Sequence, residues 1–298
     1  MKLRFGARDV EFPGAGLVDE MKDSASLLGD RAGLRARLAG DGYLLLRGFH
    51  PAVEIWAARE AILSHLAAAG ALAPDAGPSS ARCRPGGTPP NMKGQRAVTH
   101  HPSVAGVLEG ERVTRLFGDL FAEPALTFDY KWLRATPPGD FTGVHADSVY
   151  MGRGSARLLS CWVPFGDVTP ALGSIALCAG SDRLAAYAPV RETYGRSDSD
   201  RDGYGGWLTL DPLELVERFG GSWHTTTFAA GDVLVFGMQM LHASFANTTD
   251  EYRLSCDTRF QPAADPIDER WVGAGAVESK GRQGPHVATD AMRRAWGI

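Results

Sequence analysis

The second half of the chain places three potential metal ligands among short segments that indicate β-strands. From about Leu126 onward, short apolar segments alternate with turns, which predicts a mainly β structure. His145 and Asp147 stand two residues apart after the turn-rich run PPGDFTG, and His242 follows much later. Two imidazoles and one carboxylate form a facial triad that leaves half of an iron coordination sphere open. Ligands on successive strands of a small barrel can converge on one point, so the pattern predicts one metal site.

Two strand-like segments flank His242. Residues 232–236, DVLVF, form a short apolar run after a glycine, which indicates a buried strand. Residues 253–260, RLSCDTRF, alternate in polarity as a half-buried strand would. This second segment begins with Arg253, whose guanidinium could pair bidentately with a carboxylate of a co-substrate.

These motifs resemble those of the phytanoyl-CoA dioxygenase-like family of Fe(II)/2-oxoglutarate-dependent oxygenases. The resemblance extends from about Leu34 to Phe260 and includes DGYLLLRGF near the start. The H-x-D triplet, the G-D-x-L-x-F strand, the H-x-S and the later arginine match in order and spacing. The resemblance implies a mainly β fold with flanking helices, a double-stranded β-helix (jelly roll, cupin-like). It also implies Fe(II), 2-oxoglutarate and O2 as cofactors.

The resemblance carries over to individual positions of this chain. The implied iron ligands are His145, Asp147 and His242. The implied contacts to 2-oxoglutarate are Arg253, Ser244, Trp162 and Lys93. Arg253 and Ser244 would hold the distal carboxylate, and Trp162 would line the same pocket.

The segment Tyr130–Arg134 is expected to form a strand of the pocket wall. By alternation, Tyr130, Trp132 and Arg134 share one face and residues 131 and 133 share the other. The family resemblance favours the first set as inward, where Arg134 would contact an anionic ligand. The alternative is that Arg134 pairs with a buried aspartate such as Asp257. Arg259 lies on the same face as Arg253, so it is expected to contact co-substrate or substrate.

The expected activity is hydroxylation of an aliphatic C–H bond in a small metabolite, such as a natural-product intermediate. Related halogenases replace the triad carboxylate with a small residue, whereas this chain keeps Asp147. Desaturation, epimerisation or ring closure with the same cofactors stay open. A metal-binding cupin without turnover and a Zn(II) hydrolase or isomerase are also open, but neither requires an arginine such as Arg253.

The chain is expected to form a single domain, 1–298, with a jelly-roll core at about 126–262 and a helical part at about 22–122. Loops 78–96 and 191–206 are rich in Gly, Pro or charge, and we predict that they cover the substrate. The second of these loops is expected not to pack.

Charge and cysteine content limit the partners. The formal net charge is −4, which gives no general attraction to nucleic acid or anionic membranes. No apolar run is long enough to span a membrane, and the N-terminus lacks a signal-like apolar region. The 4 cysteines are widely spaced, which favours a reducing, cytoplasmic location. A monomer or homodimer that binds a small molecule is expected.

Overall fold

The computed structural model describes residues 2–13, 17–273, 275–276 and 287–298, which form twelve strands and ten helices. The strands are β1 (Lys2–Phe5), β2 (Arg8–Glu11), β3 (Val18–Glu20), β4 (Tyr43–Leu46), β5 (Ala125–Thr127), β6 (Trp132–Thr136), β7 (Leu159–Pro164), β8 (Ile175–Cys178), β9 (Trp223–Thr225), β10 (Val233–Gly237), β11 (His242–Ser244) and β12 (Arg253–Pro262). The helices are α1 (Arg31–Asp41), α2 (Ala52–Ala68), α3 (Arg96–Thr99), α4 (Pro102–Glu109), α5 (Glu111–Phe121), α6 (Ser148–Met151), α7 (Ala188–Glu192), α8 (Ser199–Asp202), α9 (Leu213–Phe219) and α10 (Val287–Trp296).

The major sheet has six strands in the order β4-β10-β7-β12-β5, with β6 also paired to β12. Its neighbours run antiparallel. The sequence correctly predicts the strand β12, but all ten of its residues are buried, so the expectation of a half-buried strand is wrong. Both faces are covered because Leu254, Cys256 and Phe260 pack under helices, while the alternate residues face the interior of the sandwich.

A layer of helices covers the outer face of the major sheet. In α5, Val113, Leu116, Phe117 and Leu120 are buried at helical spacing. Phe117 stacks on Phe260 of β12 with ring centroids 3.9 Å apart. This contact joins the helical layer to the strand that carries the arginines of the site.

The minor sheet has the order β11-β8-β9-β3, in which β3 runs parallel to β9. Apolar side chains of the two sheets meet between them, including Trp162 from β7, Leu177 from β8 and Phe236 from β10. The predicted jelly roll with flanking helices is confirmed. Strands β3 and β4 belong to these sheets although both precede residue 126.

The prediction that residues 191–206 would not pack is wrong. This segment includes the end of α7, a 3-10 turn at Tyr194–Arg196 and α8. Tyr194 and Tyr204 are buried, and they pack with side chains behind the minor sheet. Buried tyrosines therefore hold a segment whose average composition is polar.

Two further expectations from the sequence concern the cysteines and membrane-spanning segments. The cysteines at 83, 161, 178 and 256 are all free thiols. Within the described ranges, no helix has both the length and the apolar character needed to cross a membrane.

Candidate active site

His145 and His242 lie side by side because their backbones pair. His145 N donates to the His242 carbonyl at 3.0 Å, and His242 N donates to the His145 carbonyl at 2.8 Å. The ring centroids are 4.0 Å apart. Each Nδ1 lies beside a carbonyl two residues earlier, at 2.9 Å from Gly143 and 3.0 Å from Met240. Since a carbonyl only accepts, each Nδ1 carries the proton and each Nε2 keeps a lone pair for a metal.

Asp147 completes the group from the residue immediately before α6. Its Oδ1 is 3.9 Å from Nε2 of His242. One potential ligand atom from each of His145, Asp147 and His242 lies within 4.8 Å of the others, and all three residues are buried. The structure thus brings together the three predicted ligands in an arrangement that one ion can bridge.

Burial sets the protonation of this group. It lowers the pKa of His145 to about 3, with a further contribution from His242, and it also lowers the pKa of His242. Burial opposes ionisation of Asp147, but the guanidinium of Arg259 and the hydrogen bond from Ser160 outweigh it and hold the pKa of that carboxyl well below its usual range. The result is two neutral imidazoles and one carboxylate, which are the protonation states that metal binding requires.

Arg253 begins β12, and its side chain lines a cavity that His145 and His242 also line. Its Nη1 donates to the Gly173 carbonyl, and its Nη2 donates to the Thr136 hydroxyl at 2.9 Å. Within the described part of the chain its Nε has no hydrogen-bond partner and its guanidinium has no ion-pair partner. Burial lowers the pKa of Arg253 to about 9. A buried cation of this kind is a strong site for a carboxylate.

One cavity joins the two histidines of the triad to Arg253. The residues that line it are Arg134, Thr142, His145, Trp162, Ile175, His242, Ala243, Ser244, Arg253, Asp257 and Arg259. Ser244 accepts a hydrogen bond from the Thr142 amide at 2.8 Å, which leaves its hydroxyl proton for another acceptor. The histidines of the triad, a buried cation and a hydroxyl are groups whose chemistry suits a small dicarboxylate.

The comparison with known families agrees with this geometry. The model of the phytanoyl-CoA dioxygenase family matches residues 38–255, which is well over half of the chain. The chain belongs to this family. The expected cofactors, Fe(II), 2-oxoglutarate and O2, are those of the phytanoyl-CoA dioxygenase family, and the sites described above fit them. A comparison with curated proteins gives no significant match.

Solved structures share the fold of this phytanoyl-CoA dioxygenase family member. EctD from S. alaskensis, with 2-oxoglutarate and 5-hydroxyectoine, is 19% identical, with a TM-score of 0.58 over 90% of this chain and 91% of EctD. The carbocyclase SnoK from nogalamycin biosynthesis is 18% identical, with a TM-score of 0.58 over 85% of this chain and 93% of SnoK. The epimerase SnoN, with Fe3+, α-ketoglutarate and nogalamycin RO, is 22% identical, with a TM-score of 0.55 over 83% of this chain and 88% of SnoN.

The other two cavity arginines of this family member pair with aspartates. Arg134 forms an ion pair with Asp257, which is the alternative that the sequence left open. Arg259 does lie on the cavity wall, but its Nη2 donates to Oδ1 of Asp147 at 3.0 Å. Both side chains are therefore paired with carboxylates of the protein, whereas Arg253 has no carboxylate partner among the described residues.

The predicted strand Tyr130–Arg134 starts later than expected, at Trp132. Tyr130 and Trp132 still share a face, and they form an aromatic cluster with Trp271 in which ring centroids are 4.7–5.3 Å apart. Trp132 adjoins the metal group because the guanidinium of Arg259 lies 4.8 Å above its ring. The described cavity wall does not include Tyr130 or Trp132, which are predicted to line the pocket; with Trp271 they form an aromatic wall beside the triad.

Lys93 lies in the first long loop, and the described cavity wall does not include it. The next residue, Gly94, donates its amide to the Lys131 carbonyl at 2.9 Å, so this part of the loop adjoins the aromatic cluster. Earlier in the same loop, the Cys83 amide donates to the Asp250 carbonyl at 2.9 Å. The loop is thus held at two places, and its role as a cover stays a prediction.

Sequence reasoning missed several residues that shape the site. Ser160 donates a hydrogen bond to Oδ2 of Asp147. The Tyr194 hydroxyl accepts from the Ala146 amide at 3.3 Å and so attaches the 191–206 segment to the triad. Arg270 binds the Tyr150 carbonyl at 2.8 Å and holds the segment of Trp271 in place. Serine, tyrosine and tryptophan far from a motif carry no sequence signal for such contacts.

Proposed function

We propose that this protein uses Fe(II), 2-oxoglutarate and O2 to hydroxylate an aliphatic C–H bond of a small metabolite. One observation carries the proposal: both histidines of the triad line the same cavity as Arg253, whose guanidinium forms no ion pair within the described residues. A metal-binding cupin without turnover has no need for such an arginine, and neither does a Zn(II) hydrolase or isomerase.

The triad residues would hold the metal, and other residues of the cavity would orient the co-substrate. The Nε2 atoms of His145 and His242 and a carboxylate oxygen of Asp147 would bind the iron. Arg253 and Ser244 would fix the distal carboxylate of 2-oxoglutarate, with Trp162 against its chain. When bound, iron with 2-oxoglutarate and O2 supplies the oxidising power that breaks a C–H bond. The protein orients the reacting groups and excludes water.

Hydroxylation is favoured over halogenation because Asp147 keeps its place in the triad. Epimerisation or ring closure is the second candidate, since SnoN and SnoK share this fold. All these outcomes begin with the same hydrogen abstraction, and the position of the substrate relative to the iron selects among them.

The charges of the cavity bear on the class of substrate. Arg134, Arg253 and Arg259 face two carboxylates, those of Asp147 and Asp257. Iron and 2-oxoglutarate carry opposite double charges, so the loaded site keeps an excess positive charge that disfavours a cationic substrate.

Acyl-CoA thioesters require a basic patch for their phosphates. The basic residues of the first loop are Arg82, Arg84, Lys93 and Arg96. Arg82 pairs with Asp75, and Arg96 lies 3.7 Å from Asp129. Two of the four charges are thereby offset, which supports a small metabolite rather than a thioester.

The test is Fe(II)-dependent conversion of 2-oxoglutarate to succinate with candidate metabolites, followed by mass spectrometry of the product. A gain of one oxygen indicates hydroxylation, and an unchanged mass indicates epimerisation. His242→Ala removes a ligand and should abolish turnover. The matched control is His224→Ala, because His224 is half-buried and bonded to Tyr43 at 3.0 Å, away from the cavity wall. Near wild-type turnover by His242→Ala would refute the metal assignment.

A further inference from the structure

Two residues that face each other across neighbouring strands donate hydrogen bonds to the two carboxylate oxygens of Asp147. Ser160 on β7 and Arg259 on β12 are direct partners in the sheet register, so their side chains leave the same face at the same level. The Ser160 hydroxyl donates to Oδ2 of Asp147. Arg259 Nη2 donates to Oδ1 of the same carboxylate at 3.0 Å.

The surroundings hold this arrangement in place. Ser160 is 0% exposed, and Asp147 and Arg259 are each 2% exposed, so water does not compete for these bonds. The guanidinium of Arg259 lies 4.8 Å above the ring of Trp132, which restricts its plane. Among the described carboxylates, Asp147 is its close partner, since Asp257 is 4.0 Å away.

We propose that Ser160 and Arg259 are positioning residues that present Oδ1 of Asp147 to the metal and keep Oδ2 away from it. Oδ1 is the oxygen that lies 3.9 Å from Nε2 of His242, whereas Oδ2 is held by Ser160. This inference rests on the proposed function in taking Asp147 as a metal ligand. Hydrogen bonds to ligating carboxylates orient them and tune the affinity for the metal.

A second consequence concerns the charge of Arg259. Removal of Asp147 would take away the carboxylate nearest to the buried guanidinium of Arg259, and Asp257 would remain 4.0 Å from it. The place of the carboxylate would then attract a small anion. In an Asp147→Ala variant, Arg259 would therefore favour a small anion at this corner of the triad.

The first test measures the affinity of the metal-free protein for Co(II), whose visible absorption reports its coordination. Ser160→Ala should weaken Co(II) binding roughly 10–100-fold. In the Asp147→Ala background the same substitution should change it by less than about twofold, because the hydroxyl has no ligand to orient. Thr99→Val is the control, since it removes a buried hydroxyl that bonds to the Gln95 carbonyl at 3.1 Å in the helical layer.

The second test adds bromide to Asp147→Ala. Bromide should restore Co(II) binding by roughly tenfold and shift the Co(II) absorption, because it takes the place of the lost carboxylate beside Arg259. The double variant Asp147→Ala/Arg259→Met should show no such effect. Thermal unfolding establishes that each variant is folded, and the bromide comparison tests the proposal even where Ser160→Ala does not fold.

The outcomes separate this inference from the proposed function. Unchanged Co(II) binding by Asp147→Ala would refute Asp147 as a ligand, and the metal assignment with it. An equal effect of Ser160→Ala in both backgrounds, or a bromide effect that does not depend on Arg259, would overturn the positioning role alone. If Arg259→Met weakens 2-oxoglutarate binding while the bromide effect persists in the double variant, Arg259 is a co-substrate contact instead.

Discussion

Arg253→Met should separate co-substrate binding from metal binding. Methionine keeps part of the apolar length of arginine but removes a guanidinium that is 3% exposed and free of ion pairs within the described residues. The bonds of Arg253 to the Gly173 carbonyl and the Thr136 hydroxyl fix its plane before any ligand arrives. Little reorganisation is then needed to bind a carboxylate.

The expected size of the effect follows from the burial of the pair. Truncation of one partner of a buried, hydrogen-bonded charge pair costs about 2–5 kcal/mol. At roughly 1.4 kcal/mol for each factor of ten, the affinity for 2-oxoglutarate should fall by about 30-fold or more. Co(II) affinity should stay within about twofold, because Arg253 touches none of the three metal ligands.

Calorimetric titration of the Co(II)-loaded protein with 2-oxoglutarate measures this loss. Arg59→Met is the matched control, since Arg59 is half-buried and donates to the Phe165 carbonyl at 2.7 Å outside the cavity wall. An Arg253→Met variant that binds 2-oxoglutarate as tightly as the wild type would refute the assignment. Parallel losses of Co(II) and 2-oxoglutarate affinity would indicate a general distortion of the site instead.

Two further predictions concern the aromatic wall and acid stability. Trp271→Ala should raise succinate formation without added substrate by at least about twofold, because the buried indole helps to exclude water; an unchanged rate would argue against a covering role. Burial, with a smaller contribution from Arg112, lowers the pKa of His50 from 6.5 to about 4, so the unfolded chain takes up this proton first as the pH falls. The free energy of unfolding of the wild type should therefore drop by roughly 2 kcal/mol more than that of His50→Gln between pH 7 and 5 in urea titrations, and equal drops would contradict this.

The structure changes how the prediction that residues 191–206 cover the substrate should be tested. Deletion within 191–206 would remove buried tyrosines, Tyr194 and Tyr204, and would disturb the packing behind the minor sheet. Point substitutions at the aromatic wall therefore test closure more cleanly than deletions do.

The sequence predicts the fold class, the triad and Arg253 from short motifs and from the family resemblance that these motifs carry. His145 and Asp147 occur together in one triplet, and Arg253 opens a strand that its alternating pattern makes visible. Short apolar or alternating segments such as those of β10 and β12 predict a mainly β structure without knowledge of long-range contacts, and the jelly roll is what the family resemblance implies.

Only the tertiary structure determines which arginine pairs with which aspartate. Alternation places Arg253 and Arg259 on one face, yet Arg259 pairs with Asp147, whereas Arg253 has no carboxylate partner among the described residues. Arg134, which the resemblance places inward, pairs with Asp257. The role of Ser160 depends on its register opposite Arg259, between strands far apart in the chain. Charge partners are set by sheet register and by turns that bring distant segments together. Periodicity reports only which side of a strand a residue faces.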